Sequence, residues 1–484
     1  MSAPATRLDL RPQVGRPQPV ERRWTALVFI ALAQLMIALD ATIMSIALPS
    51  AQVALRASDA ERQWVITAYT LAFGGLLLLG GRVADRFGRK RSFLVGLAGF
   101  ALASALGGWA PTFTILVLAR ALQGAFAALL APTALSLLAI TFTEPAERAK
   151  AFAVYGAIAG SGAAAGMLLG GVLTEYLTWR WCLYVNVPIA VAAAAGGWAV
   201  LKSGIAQGRP GFDLVGAFLG TGGLVALVYA CTRAVGEGWS SATVLGLLAA
   251  SGTLLVLFVL RQSRAAQPLL PLKIVFDRNR GGAYLAVALG LAGMFGAFLF
   301  LTYYLQVVLR FSPVQAGLAF LPMTLASQAA SWLVARPLMP RLQPRALMVP
   351  GGLLAAAGMA LLTQLQTDSG YLSLVLPAEV LLGVGTACVM VPAFSVGTLG
   401  VDRREAGAAA ATVNTAQQVG GSLGTAVLNT IAASATATFA TAGAAALVHG
   451  YQAASGWGTG ILALGALLAV VLINAPAPAT GKDR

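Results

Sequence analysis

Three charged side chains lie inside long apolar stretches of the sequence: Asp40, Arg120 and Glu379. A charge at the centre of a bilayer costs about 3 kcal/mol on insertion scales, so such side chains usually face a water-filled cavity or one another. A carboxylate that meets water from either side in turn can bind a proton on one side and release it on the other. These residues therefore predict a proton-coupled site within a membrane.

The position of each charge along its apolar run indicates its depth. At a rise of about 1.5 Å per residue, Asp40, Arg120 and Glu379 all fall in the outer half of the bilayer, at heights that would let them share one aqueous cavity. Arg120 is then expected to modulate the proton affinity of Asp40. The alternative is a static ion pair between Asp40 and Arg120 that only orients helices.

The elements that carry these charges are long apolar segments. Of the 484 residues, 58% are hydrophobic and 10% are charged, and mean hydropathy is +0.80. This composition excludes a soluble multidomain enzyme, a disordered chain and a secreted disulfide scaffold. About 20 residues span a bilayer, which predicts an all-α integral membrane fold with fourteen transmembrane helices, at residues 24–48, 64–81, 92–109, 112–138, 151–173, 181–201, 213–231, 241–260, 281–305, 314–335, 346–366, 372–398, 407–431 and 456–475.

The basic residues indicate the orientation of these spans. The net charge of +15 would suggest a nucleic-acid partner in a soluble protein, but Lys and Arg concentrate in alternate loops and in both tails. Positive residues are retained on the cytoplasmic side, so both termini are predicted to be cytoplasmic and the basic face to meet anionic lipid, with no nucleic-acid partner. The basic residues expected elsewhere are Arg56, Arg62, Arg180, Arg233 and Arg310 outside, and Arg120 within a span.

Other residue types offer little chemistry. One His and three Cys are too few ligands for most metal sites, so neither a metal nor a cofactor is expected, and Cys182 and Cys231 are expected to be free thiols. The first apolar run is too long for a cleavable signal sequence. An integral membrane enzyme would need clustered His, Asp or Glu at one interface, and a channel would need a charged ring or filter; neither pattern is visible.

A glycine- and arginine-rich turn follows the second span. Residues 81–91 read GRVADRFGRKR. Glycines at each end permit a tight helix–loop–helix, and Asp85 can cap the backbone or pair with an Arg to close the inner mouth. The run resembles motif A of the major facilitator superfamily, with Val83 where Leu is usual. The resemblance implies a gating role for Gly81, Asp85, Arg86, Gly88 and Arg89.

Further runs resemble the 14-helix drug/proton antiporters of that superfamily, over roughly residues 24–431. The stretch around Asp40 is similar to that branch's first-helix motif, and Arg120 with Gln123 and Gly124 is similar to motif B, whose Arg is implicated in proton transfer. The remaining matches are Trp179-Arg180-Trp181, Asn186-Val187-Pro188, and Arg404 to Gly424 with Asn414, Gln417, Gln418, Gly420 and Gly421.

The fifth span departs from the antiporter pattern. Gly162, Gly166, Gly170 and Gly171 are present, but Met167 stands where the motif has Pro. Glycines at four-residue spacing give a flat face, which predicts close helix packing. The missing proline removes the expected kink.

The resemblance also implies an architecture. Residues 1–23 and 476–484 would be cytoplasmic tails, 24–201 and 263–475 two six-helix bundles, and 202–262 an inserted pair, helices 7 and 8. Helices 1, 4, 9 and 12 would line a central cavity, and the bundles would rock about a site near the midplane. The residues predicted to bind substrate are Asp40, Gln123, Tyr303, Glu379, Asn414 and Gln417.

The resulting functional prediction is a monomeric, proton-coupled antiporter in the cytoplasmic membrane that exports lipophilic or cationic small molecules such as drugs, antibiotics or biocides. One alternative is a dedicated exporter of a single self-made metabolite or antibiotic. The other is a nutrient symporter of the same fold, which the Met167 departure keeps open.

Overall fold

The computed structural model describes residues 20–59, 61–201, 213–265, 268–270, 272–339, 341–399, 401, 406–439 and 443–476. Within these ranges the chain is helical and contains no strand. The long helices are α1 (Val20–Leu55), α2 (Trp64–Phe87), α3 (Arg89–Trp109), α4 (Phe113–Thr141), α5 (Pro145–Tyr176), α6 (Trp181–Val200), α7 (Leu214–Glu237), α8 (Ala242–Arg264), α9 (Arg278–Val308), α10 (Pro313–Leu338), α11 (Pro344–Gln364), α12 (Tyr371–Gly397), α13 (Ala406–Thr438) and α14 (Ala444–Leu472).

Among the described residues, thirteen helices are long and apolar enough to cross a membrane. Helix α13 is long enough but is rich in Ala, Gly, Thr and Ser, and it is not among the thirteen. The all-helical membrane fold is therefore confirmed, while the count of fourteen spans stays a prediction.

Local sequence signals account for where helices begin and turn. The side chains of Thr112, Ser241 and Ser312 each accept a hydrogen bond from a backbone N–H of the following first turn, which satisfies donors that have no partner within the helix. Gly88 separates α2 from α3 with a φ of 93°, a conformation that residues with a Cβ rarely adopt.

Two groups of helices pack among themselves. In the first half α2 packs on α4, α1 on α5, and α3 on α4 and α6; in the second, α11 packs on α12 and α14, and α9 on α13 and α14. Small residues allow these contacts: a Cβ added to Gly124 would lie 2.2 Å from the carbonyl oxygen of Tyr69. The predicted boundaries of the bundles remain a prediction.

Helix α7 lies across the seam between the halves, packed on its partner α8 and on both α2 and α13. Gln63 of the first half donates to the Thr232 hydroxyl (2.8 Å), and Thr430 of the second half donates to the Cys231 carbonyl (3.0 Å). Adjacent residues of α7 therefore hold opposite halves.

Several hydrogen bonds between the halves lie at one end, the end that the charge pattern assigns to the outside. There Gln306 donates to the Ile46 carbonyl (2.9 Å), and Ser312 donates to Glu175 (2.6 Å). A Cβ on Gly171 would lie 2.5 Å from the Pro313 carbonyl oxygen. The protein is therefore closed at this end.

Candidate transport site

The Asp40 carboxylate is the centre of a buried polar cluster that joins three helices. Arg120 Nη1 lies 2.6 Å from Asp40 Oδ2, while Gln123 Nε2 (3.1 Å) and Asn186 Nδ2 (2.7 Å) donate to Oδ1. Asp40, Gln123 and Asn186 have no exposed surface, and Arg120 is 1% exposed. Both carboxylate oxygens are thus satisfied by side chains of α4 and α6.

Arg120 is held from a further direction by α2. Its Nε donates to the Val65 carbonyl (2.9 Å), and its guanidinium lies 4.4 Å from the centre of the Tyr69 ring. Its Nη1 also donates to Gln123 Oε1 (3.0 Å), and Gln123 in turn donates to Ser104 (2.7 Å). The attraction within a buried ion pair offsets its desolvation cost only when further hydrogen bonds satisfy both groups, and this pair has several such bonds.

Glu379 lies in the other half, in a different setting. Its side chain is fully buried; Tyr371 donates to Oε2 at a long 3.4 Å and more closely to the Ala319 carbonyl (2.7 Å). Oε1 has no partner among the described residues. Tyr371 begins a π-helical turn, Tyr371–Val375, a feature frequent at functional sites.

The expectation that the three charged residues share one aqueous cavity is wrong in this conformation. Arg120 is a direct partner of Asp40, whereas the side-chain hydrogen bond of Glu379 among the described residues comes from Tyr371. The residue count gave each charge a height along its helix but not the direction in which its side chain points.

A cavity of about 300 Å³ lies between the halves. It is formed by α1, α2, α5, α9 and α10. Helices α4 and α12, which were predicted to line the central cavity, contribute no residue to this one. Most of its lining residues are apolar, among them three Met and two Phe, and the others carry four hydroxyls and one amide. The lining residues are Ala41, Thr42, Ser45, Ile46, Ile66, Ala163, Met167, Met294, Phe295, Phe298, Met323, Thr324, Ser327 and Gln328.

None of the predicted substrate-binding residues lines this cavity. Asp40, Gln123 and Glu379 are fully buried, and Tyr303 donates to Gln52 at the closed end. Asn414 donates to the Ala410 carbonyl of its own helix (3.1 Å), and Gln417 contacts the Met390 sulfur at 4.0 Å. The prediction chose polar residues, whereas most of the residues that bound the space between the halves are apolar.

The motif after α2 forms the predicted tight turn. Arg89 Nη2 lies 3.4 Å from Asp85 Oδ1, and both side chains are partly exposed. Arg82 donates to the Pro268 carbonyl (2.9 Å), next to the segment leading into the second half. Arg86 is an exposed residue in the last turn of α2, and Gly81 faces Pro132 of α4.

The glycines of α5 lie against α1. A Cβ added to Gly162 would lie 2.7 Å from Ala38 Cβ, and one added to Gly166 would lie 2.2 Å from Thr42 Oγ1. A Cβ added to Gly170 would lie 2.8 Å from the Ile43 carbonyl oxygen. Gly171 faces α10 instead. Met167 both lines the cavity and places its carbonyl oxygen against Gly317 of α10, so it stands where α5 meets the other half.

Sequence reasoning missed two residues. Asn186 was noted only for its resemblance to a family signature, although a lone amide in an apolar run is itself a signal of a buried polar partner. Arg62 was counted as an outer loop charge, yet it is 2% exposed; its sequence context gave no sign of burial. Of the late motif, Arg404 lies outside the described residues.

The family model of the Major Facilitator Superfamily matches residues 30–425. The chain belongs to the Major Facilitator Superfamily. This transporter is 55% identical over 466 residues to a puromycin resistance protein of Streptomyces alboniger, covering 94% of this chain and 92% of that protein. It is 40% identical to a cephamycin export protein of Amycolatopsis lactamdurans (88% of each chain) and 34% identical to a multidrug efflux pump of Mycolicibacterium smegmatis (85% and 81%).

Solved structures share the fold. A bacterial homologue of the human lysosomal transporter Spinster, in an inward-facing and occupied conformation, superposes with a TM-score of 0.68 at 15% identity, covering 94% of this chain and 97% of that one. The protein is therefore a multi-pass membrane transporter of the drug-efflux type, not an enzyme, and it moves small molecules.

Proposed function

We propose that this transporter is a proton-coupled antiporter that exports lipophilic or cationic small molecules by alternating access. The observation that carries the proposal is the buried Asp40–Arg120 pair, 2.6 Å apart, because Asp40 belongs to α1, which also lines the cavity. Ala41 and Thr42 follow Asp40 in α1 and form part of the cavity wall. A change in the charge of Asp40 can therefore alter the packing of the wall itself.

The proton chemistry follows from the pair. While Asp40 is ionised, Arg120, Gln123 and Asn186 hold α1, α4 and α6 together. Protonation cancels the carboxylate charge and weakens its bond to Arg120, which frees these helices to shift. Release of that proton to the other side restores the pair. One proton moved through about 100 mV supplies about 2.3 kcal/mol, enough for roughly a 50-fold gradient of a neutral drug.

Glu379 is proposed as a second proton-responsive carboxylate. It is buried with one unpartnered oxygen, so protonation would remove an uncompensated charge from the second half. The turn around Asp85 and Arg89 is proposed to gate the inner mouth, since it lies at the end opposite the closed one.

The substrate is proposed to occupy the cavity between the halves. Thioether and aromatic side chains adapt to varied apolar shapes, and Thr, Ser and Gln at the edge can orient one polar group. A relative is named for puromycin resistance, which makes an amphipathic antibiotic of that kind a suitable first substrate. Relatives named for single antibiotics also favour the second candidate, a dedicated exporter.

The orientation belongs to the same proposal. Both termini would be cytoplasmic, because the basic loops cluster at the end that carries Asp85 and Arg89. The protein is proposed to act as a monomer in the cell membrane. With the opposite end closed, the conformation seen would face inward.

The test is uptake into inverted vesicles energised to be acidic inside. Puromycin and a cationic dye should accumulate in vesicles that contain the protein, and an uncoupler should abolish accumulation. Accumulation that persists without a proton gradient would exclude proton coupling, and accumulation of puromycin alone would favour the dedicated exporter. The matched control is Phe298→Ala, which enlarges the cavity and should change substrate affinity while leaving proton-driven transport of some substrates intact.

A further inference from the structure

Arg62 is a buried charge outside the transport site. It lies in the turn between α1 and α2, at the closed end of the protein, and only 2% of its surface is exposed. Burial of an arginine is costly unless it is paired and hydrogen-bonded. The residues that surround Arg62 therefore show which arrangement of the two halves it stabilises.

Its partners come from both halves. Within the first half, Arg62 Nη1 lies 3.2 Å from Asp59 Oδ1, whose side chain is 50% exposed. From the second half, Asn429 of α13 accepts from Arg62 Nε at 3.3 Å, and the guanidinium carbon lies 3.9 Å above the centre of the Tyr303 ring of α9. The contacts that shield the guanidinium are thus contacts across the seam.

A second layer of bonds repeats this connection. Asn429 Nδ2 donates to the Asp59 carbonyl (3.0 Å), and Tyr303 donates its hydroxyl to Gln52 of α1. Gln52 Nε2 in turn donates to Asp59 Oδ1 (2.8 Å). These five residues, Gln52, Asp59, Arg62, Tyr303 and Asn429, form a cluster that we call the outer cluster.

The contacts of the outer cluster can break and re-form as the halves separate and close at this end. When the halves separate at this end, Arg62 loses Tyr303 and Asn429 but keeps Asp59, and water can hydrate the guanidinium in their place. The net contribution of a hydrogen bond to a charged group is modest, because water replaces it. A polar contact of this kind is reversible, whereas an apolar seal of equal area would lose its full burial energy on opening.

We propose that Arg62 is the positioning residue that holds the outer end of the transport path closed, and so sets the balance between the inward-open and outward-open states. The proposal rests on the orientation given under Proposed function but not on the identity of the substrate or on proton coupling. It assigns Arg62 a role in the conformational step and none in contact with substrate.

The test measures access to the cavity from each side. Ser45, which lines the cavity, is replaced by cysteine in a protein whose Cys182, Cys231 and Cys388 are changed to alanine. A membrane-impermeant maleimide is then added to right-side-out or inverted vesicles. Arg62→Ala should raise the labelling rate from outside about tenfold or more and lower it from inside, because a charge-assisted bond and a cation–π contact are lost. Arg62→Lys, which keeps the charge but not the planar fork, should fall between.

Controls separate this role from a general loss of structure. Arg233→Ala removes an exposed outer arginine paired with Glu237 and should leave both labelling rates unchanged. Asn429→Ala removes the partner across the seam and should shift labelling in the same direction as Arg62→Ala. If the Arg62 variant does not fold, the labelling rates of Asn429→Ala test the proposal by themselves. Labelling rates that are the same in Arg62→Ala, Asn429→Ala and the parent would overturn the proposal. Faster labelling of Ser45→Cys from outside than from inside in the parent would instead contradict the orientation.

Discussion

Arg120 Nη1 and Asp40 Oδ2 lie 2.6 Å apart in a region where neither side chain meets solvent. Two charges so placed stabilise the fold only as a pair, because either one alone would be buried without compensation. A proton that neutralises Asp40 therefore acts on the packing of α1, α4 and α6 together. The pair is at once a structural contact and the most direct route from proton binding to helix movement.

Asp40→Asn is expected to abolish accumulation against a gradient in inverted vesicles, because the amide cannot take up a proton. It should also destabilise the protein by about 3–5 kcal/mol, since Arg120 is left as an unpaired buried charge. Thermal unfolding in detergent measures the second effect. The double variant Asp40→Asn/Arg120→Gln should recover stability without recovering uphill transport.

Glu61→Gln provides the matched control, because Glu61 is an exposed acid whose carboxylate accepts hydrogen bonds from nearby Ser58. It should leave transport unchanged. Uphill transport by Asp40→Asn at the parent rate would remove Asp40 from the coupling step.

Asp85→Asn is expected to slow transport without changing equilibrium substrate affinity, because the residue lies in the last turn of α2 and does not line the cavity. Its pair with Arg89 is partly exposed, so unfolding should change by less than about 1 kcal/mol. Substrate binding by the detergent-purified protein and initial transport rates test this. Glu237→Gln, which breaks a similar i,i+4 pair at the other end, is the control, and a large affinity loss in Asp85→Asn would place the turn at the substrate site instead.

Gly166→Ala is expected to destabilise the protein by about 1–3 kcal/mol. The new methyl carbon would lie 2.2 Å from Thr42 Oγ1 and 2.6 Å from the Leu39 carbonyl oxygen, so α5 must move away from α1. Gly156→Ala, in the same helix, meets no atom within 4 Å and should be neutral or stabilising by up to about 1 kcal/mol. Equal melting temperatures for the two variants would contradict this close packing.

Asp213 is expected to make stability depend on pH. Burial by itself would raise the pKa of Asp213, but bonds from Gly216 N–H, Gln262 and Arg261 hold that pKa below its ordinary value. A lowered pKa in the folded state contributes stability above the unfolded value near 3.9, and this is lost as pH falls through the folded pKa.

Asp213→Asn should therefore lower the free energy of unfolding by about 1 kcal/mol near neutral pH, the size of a lost helix cap. The difference from the parent should shrink in strongly acidic buffer. A gap in unfolding temperature that stays constant down to pH 2 would contradict the role of the charge. The control is Ser241→Ala, which removes an uncharged cap on α8 and should show no such trend.

The helices could be predicted from the sequence. The pairing of Asp40 with Arg120 was also predicted, as the alternative to a shared aqueous cavity. Apolar runs and their depths are local properties of the chain, and two opposite charges at similar height in neighbouring helices have few other partners. The glycine face of α5 was readable for the same reason, since a spacing of four residues sets which side of a helix is flat.

The separation of Glu379 from that pair, the Met- and Phe-lined cavity and the burial of Arg62 could not be read in this way. Each depends on how a helix is rotated about its axis and on which residues meet across the seam between the halves. Those choices follow from many small packing contacts summed over the whole bundle. The chain by itself determined that it crosses the membrane many times and that Asp40, Arg120 and Glu379 lie within its spans. The tertiary structure decided which charges meet and that Arg62 is buried, because contacts between distant segments exist only once both halves have packed.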